Sequence, residues 1–239
     1  MAGLEDEFRW DWSGDPEPLE DGQVRRLWIA ADTYEEYVLV IGYCVWGVRT
    51  QELAPTHVRQ IDLDSEEPKI QFEDRDRKNG LGEVSLLFGL DKLGTLLDKR
   101  ARQPDWNGCL YPSDDFDCSA LSERQMRRRF KDLCRKADVT IDGSPASPRN
   151  GRSFYYNTLA DAETAVLEMA ERLAQEQGSI DAEAVRDYYL TDERRRQFRR
   201  TFFRERIRKV LPEDAYVSPG PVDFNSQVTD YSWSGSQGA

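Results

Sequence analysis

A change of apolar spacing between residues 56 and 88 most constrains the fold of this chain. On either side of it the spacing is that of helices. Val24, Leu27 and Trp28 fall on one helical face, and Tyr37 to Val48 is apolar enough for a buried helix. Across 56–88 the spacing shortens. Val58, Ile61 and Leu63, then Lys69 to Phe72, then Glu83 to Phe88, read as short strands, with Arg77-Lys78-Asn79-Gly80 as a turn before the last. Leu90 to Ala101 is helical again, 103–120 is a Pro-, Asp- and Gly-rich loop, and a helix begins at Ser122 and ends near Val139. Residues 142–151 read as loop, Ser153 to Gln177 as a long helix broken at Gly178, and Asp181 to Val210 as one or two more. The expected class is α+β, mainly α-helical with one small antiparallel sheet.

Charge narrows the partners. The chain has 239 residues, 38% hydrophobic and 33% charged, and a net charge of −12, which argues against a general nucleic-acid binder. The charge is uneven. Arg124 to Lys136 holds seven basic residues against one acid, and Arg186 to Lys209 holds ten against four, so each is +6 and the rest carries −24. Such stretches either solvate a helix face or meet DNA. Arg124, Arg127, Arg128 and Lys131 in the first, with Arg194 and Arg195 in the second, are the candidate DNA contacts. No apolar run approaches the ~18 residues of a membrane span. The acidic start lacks the features of a signal peptide. Four cysteines without a CxxC pair, and a single histidine, His57, make structural zinc unlikely in its usual spacing and fit reduced thiols in a cytoplasm.

The motifs come in a fixed order. Trp46-Gly47-Val48-Arg49-Thr50-Gln51-Glu52-Leu53 closes the apolar helix, and alone its Arg-x-x-Glu is an ordinary helical ion pair. Lys78 sits at the hairpin turn, and Ser147-Pro148-Arg149-Asn150-Gly151-Arg152 runs into a helix. Tyr188-Tyr189-Leu190-Thr191-Asp192-Glu193 precedes an arginine-rich helix. Arg152 follows Arg49 by 103 residues and Tyr189 follows Arg152 by 37. In this order and spacing, over roughly residues 19–210, the chain resembles the tyrosine recombinases, or phage-type integrases. Gln177-Gly178-Ser179 before Tyr189 to Glu193 brings it closest to the variant of salt-loving archaea.

The resemblance implies a tyrosine recombinase catalytic-domain fold and a site-specific enzyme that cuts and rejoins DNA through a phosphotyrosine. It makes Tyr189 the nucleophile, with Tyr188 as its rival, and gives the phosphate to Arg49, Arg152 and Arg149. Lys78 becomes the general acid. These roles fit the chemistry: forked, permanently charged donors suit the charge that grows on the non-bridging oxygens, and a lysine can protonate the leaving 5′-oxygen. The bond energy stays in the phosphotyrosine, so neither cofactor nor metal is expected. The sequence has no GxxxxGK[ST] loop and no magnesium-type carboxylate cluster. Double-stranded DNA is the expected partner, with a tetramer on DNA or accessory proteins, and no membrane.

Two departures mark the chain. Arg149 stands where the family has a histidine, and the second histidine or tryptophan has no evident counterpart; Gln177 or Ser179 is nearest. An arginine stabilises charge but is no base, so a non-catalytic DNA-binding or regulatory protein on the same fold is the alternative, and an all-helical interaction protein ranks last. The expected division is an acidic arm over 1–18, a catalytic domain over 19–211 and a tail over 212–239. The arm cannot replace the helical domain with which the family clamps DNA, so the chain is either a catalytic fragment or a weak DNA binder.

Overall fold

A computed structural model describes residues 16–73, 82–113, 119–176, 178 and 191–211. Seven helices and five short strands lie within them: α1 (Asp21–Ala30), α2 (Tyr34–Cys44), α3 (Thr50–Leu53), β1 (Ile61–Asp62), β2 (Lys69–Phe72), β3 (Gly82–Ser85), α4 (Leu90–Ala101), α5 (Glu123–Lys136), β4 (Thr140–Ile141), β5 (Ser144–Pro145), α6 (Pro148–Glu176) and α7 (Asp192–Val210). Lys78, Tyr188 and Tyr189 lie outside the described residues, as do the first fifteen residues of the expected arm and the expected tail.

The apolar helix α2 forms the centre. Every residue from Val38 to Cys44 is buried, and α1, α4, α5 and α6 pack around it. Its start is fixed by Thr33, whose Oγ1 accepts the Glu36 amide at 3.2 Å, while the Glu36 carboxylate accepts the Thr33 amide at 3.3 Å. One core runs from Leu19 to Leu211 and closes over α7 through Phe203, Ile207 and Val210. A smaller cluster joins Val166 and Ala170 of α6 to Phe198 of α7.

The expected small sheet is present: β1, β2 and β3 pair antiparallel in that order, with Ile61 opposite Ile70 and Ile70 opposite Val84. In β2 the buried Ile70 and Phe72 alternate with Lys69 and Gln71, the two-residue period that marks a half-buried strand. Val58 is not in a strand; it opens a 3₁₀ turn over Val58–Gln60 whose first amide donates to the Gly108 carbonyl at 2.8 Å.

Three boundaries differ from the sequence reading. Helix α5 stops at Lys136 rather than near Val139, because Asp138 takes a left-handed φ of 51° that ends the helix. Residues 142–151 are not all loop. Asp142 and Gly143, at φ 49° and 74°, make the two-residue turn of the hairpin β4–β5. Helix α6 begins at Pro148, not Ser153. A proline suits a first helical position, where its missing N–H is no loss. Ahead of it the Ser147 amide and hydroxyl both donate to Asn150 Oδ1, at 2.8 and 2.7 Å.

Candidate active site on a basic cleft

The site begins where α2 hands over to α3. Gly47 has a φ of +62°, and a Cβ there would lie 2.2 Å from Cδ1 of Tyr155 on α6. Only glycine meets both demands, the left-handed backbone and the close approach. The chain then turns outward and Arg49 caps α3, its amide donating to Glu52 Oε2 at 2.8 Å and its Nη1 to Oε1 at 3.1 Å. The Glu52 side chain is 2% exposed and that of Arg49 34%. A buried carboxylate thus steers a half-exposed guanidinium, and the ion pair orients rather than neutralises a surface charge.

Helix α6 supplies the next two cations. It can lie close on α2 because Gly151 faces Cys44 and Tyr43, where a Cβ would come within 3.0 Å of the Cys44 sulfur. With the helix starting at Pro148, Arg149 projects from its first turn, exposed and without an acidic partner among the described residues. Arg152 sits one turn along. Its Nη2 donates to the Tyr156 hydroxyl at 2.8 Å, and its Nη1 is buried with no hydrogen-bond partner among the described residues. A helix N-terminus adds its own positive end to these charges.

Helix α5 faces them. Met126, Phe130, Leu133 and Cys134 are its buried stripe. The opposite stripe, Arg124, Arg127, Arg128, Lys131 and Arg135, lines one wall of a cleft of about 1170 Å³. Arg49, Arg149 and Arg152 line the same cleft, and Glu123 is the one acid among its described lining residues. Arg127 pairs with Glu123, and Arg128 and Arg135 share Asp132. Arg124 and Lys131 have no acidic partner among the described residues.

The second basic stretch is placed differently. On α7, Arg196 and Arg200 clasp Glu67 at 2.9 and 2.7 Å, Arg199 meets Glu163 at 2.8 Å, and Arg206 pairs with Asp21 and Asp161. These arginines tie α7 to the β1–β2 loop, to α6 and to α1. Arg194 and Arg195 lie in the first turn of α7, Arg195 on Asp192, and neither lines the basic cleft. So Arg49, Arg149 and Arg152 come together with Arg124, Arg127, Arg128 and Lys131, while Arg194 and Arg195 stand apart.

Reasoning from sequence missed Tyr156 and Arg135, both of which line the cleft. Arg135 was signalled by its four-residue step from Lys131. Tyr155 and Tyr43 are poor nucleophiles. Burial pushes the Tyr155 hydroxyl up to about 12, a rise that Arg152 only partly opposes, and burial likewise pushes Tyr43 to about 12. His57 does not line the cleft; burial and Arg59 lower its pKa, and its Nδ1 accepts the Arg59 amide at 3.2 Å. Among the described residues no group of three metal-ligating side chains occurs, and no helix is long and apolar enough to cross a membrane.

No family model and no curated protein matches the chain. Solved structures are similar, two of them with a TM-score of 0.50. One is XerA recombinase, with a TM-score of 0.50 and 22% identity over 77% of this chain and 64% of that one. The other is the integrase of mycobacterium phage Brujita, with a TM-score of 0.50 and 17% identity over 78% of this chain and 58% of that one. The chain spans less than two thirds of either. At such identities the likeness is one of fold, and on that ground the mostly helical chain with its small antiparallel sheet has the fold of a tyrosine recombinase catalytic domain.

Proposed function

We propose that the chain is a DNA strand transferase of the tyrosine recombinase type, acting as a site-specific recombinase on double-stranded DNA. One observation carries the proposal: Arg49, far in sequence from the neighbours Arg149 and Arg152, lines with them a single cleft walled by the basic face of α5. The cleft offers forked cations to a phosphodiester and a row of further charges to its neighbours along the backbone. In the proposed reaction the Tyr189 hydroxyl gives up its proton to water and its oxygen attacks phosphorus, forming a 3′-phosphotyrosine as the bond to the 5′-oxygen breaks. Lys78 gives that oxygen its proton. Arg49 and Arg152 stabilise the charge gained by the non-bridging oxygens, with Arg149 in support. Attack by the freed 5′-hydroxyl of another strand on the phosphotyrosine rejoins the DNA and returns the tyrosine. No metal or cofactor enters the scheme.

The resemblance to the salt-loving variant, with −24 outside the two basic stretches, favours a cytoplasm rich in salt and a mobile element or virus as the source. Assembly as a tetramer on two duplexes belongs to the same reading. A second reading, a DNA-binding protein that no longer cuts, is favoured by Arg149 standing where a histidine is expected. A nicked duplex carrying a cleavable site separates the two. A covalent protein–DNA band that persists in a chelator supports the transferase, and shifted but never covalent DNA supports the binder. Activity lost to the chelator and restored by magnesium contradicts the family mechanism.

A further inference from the structure

Arg152 and Tyr156 stand one helical turn apart on α6, and a second cavity lies beside the basic cleft. That cavity, of about 300 Å³, is lined by Gly47, Glu52, Tyr155 and the arginines Arg196, Arg199 and Arg200. Arg152 and Tyr156 are described residues that line both spaces, so together they form a partition between them. The Tyr156 hydroxyl accepts Nη2 of Arg152 at 2.8 Å, and Cζ lies 5.0 Å from the centre of the Tyr156 ring. These two interactions fix the guanidinium in place and in orientation. They also leave Nη1 buried and without a partner among the described residues. A buried cationic N–H with nothing to bond is costly, and a structure that keeps one has a use for it.

We propose that Tyr156 is a positioning residue. By holding Nη2 it keeps the Arg152 guanidinium in the wall of the cleft proposed to receive a phosphodiester, a role that deepens the proposed function and rests on it. The hydroxyl accepts from Nη2 alone, so the other N–H groups of the guanidinium are not taken by Tyr156. No proton moves through Tyr156 and no bond to it forms. Its effect appears only through Arg152, in the hold on inorganic phosphate and in the rate of the step on DNA.

Nitrogen-15 NMR of the arginine side chains of the whole chain tests this, with Arg152→Lys assigning the Arg152 signals and inorganic phosphate as the probe. In the wild type the Nη signals of Arg152 should be distinct, as for a guanidinium held from rotating, and should move as phosphate is added. In Tyr156→Phe, which keeps the ring, the thermal midpoint should be unchanged. The Nη signals should merge, and the phosphate concentration at half-shift should rise about tenfold, as the loss of one hydrogen bond to a charged group requires. With nicked DNA, the rate of adduct formation at saturation should fall by a similar factor while DNA affinity stays the same. Wild-type Arg152 signals that ignore phosphate, or the same half-shift in both proteins, would overturn the role of Tyr156. A wild type that forms no adduct overturns the proposed cleavage, and the phosphate titration then still decides for or against Tyr156.

Discussion

Arg49, Arg149 and Arg152 do different work although all three line one cleft. Arg49 is steered by the buried Glu52 and Arg152 by Tyr156, whereas Arg149 is held by neither and stands exposed. Arg49→Ala and Arg152→Ala should each slow adduct formation by on the order of 10²–10³-fold, the loss typical of one fixed donor to a developing oxyanion. Arg149→Ala should cost less, and rates on a nicked duplex compare the three. Gly47 should show that the site also rests on backbone. Gly47→Ala forces a left-handed φ on a residue with a Cβ and drives it into Tyr155, so a loss of at least about 1–3 kcal/mol is expected in denaturant unfolding. Gly22→Ala on α1, where a Cβ meets nothing within 4 Å, is the control and should be neutral or slightly stabilising. At this scale the three arginines that line the cleft could be picked out in the sequence and Tyr156 could not. Its hydrogen bond spans a four-residue step along α6, and it disappears from view once the helix is taken to begin at Ser153, which leaves Arg152 in a loop.

Elements explain the rest of what the sequence revealed and hid. The sheet was legible because Ile70 and Phe72 alternate with polar neighbours, and the start of α5 because Ser122 and Gln125 form a reciprocal cap. Hairpin β4–β5 was not, since two-residue strands carry no period and only Asp142-Gly143 marked it. Charge counting treated the basic stretches of α5 and α7 alike. Only packing separates them, because the acids that neutralise α7 come from Glu67, Glu163, Asp21 and Asp161, which are distant in sequence. Two tests follow. Replacing both Arg124 and Lys131 by Ala should lower the slope of log affinity against log salt for duplex DNA by about 2, close to one counterion for each phosphate no longer neutralised. An unchanged slope would remove α5 from the DNA interface. On α7, hydrogen bonding and charge from Arg200 and Arg196 hold the Glu67 carboxyl below its usual pKa. Stability from that carboxylate is therefore present above the ordinary carboxylate pKa and is lost as pH falls through the lowered folded value. Glu67→Gln should melt earlier than the wild type at neutral pH, and the gap should close on acidification.

In the whole molecule, a recombinase-type fold gathers three arginines and a basic helix face around one cleft. Outside its two basic stretches the chain carries −24. The isolated chain should therefore bind DNA weakly and with strong salt dependence. The central claim is that this cleft serves a tyrosine nucleophile, and covalent capture on nicked DNA by Tyr188→Phe and Tyr189→Phe tests it most directly. Only one of the two oxygens can form the covalent bond to a given phosphate, so the two variants tell the tyrosines apart. Each phenylalanine keeps the ring and removes only the attacking oxygen. The expected result is an adduct in the wild type and in Tyr188→Phe, and none in Tyr189→Phe; an adduct that survives in both variants would contradict the mechanism.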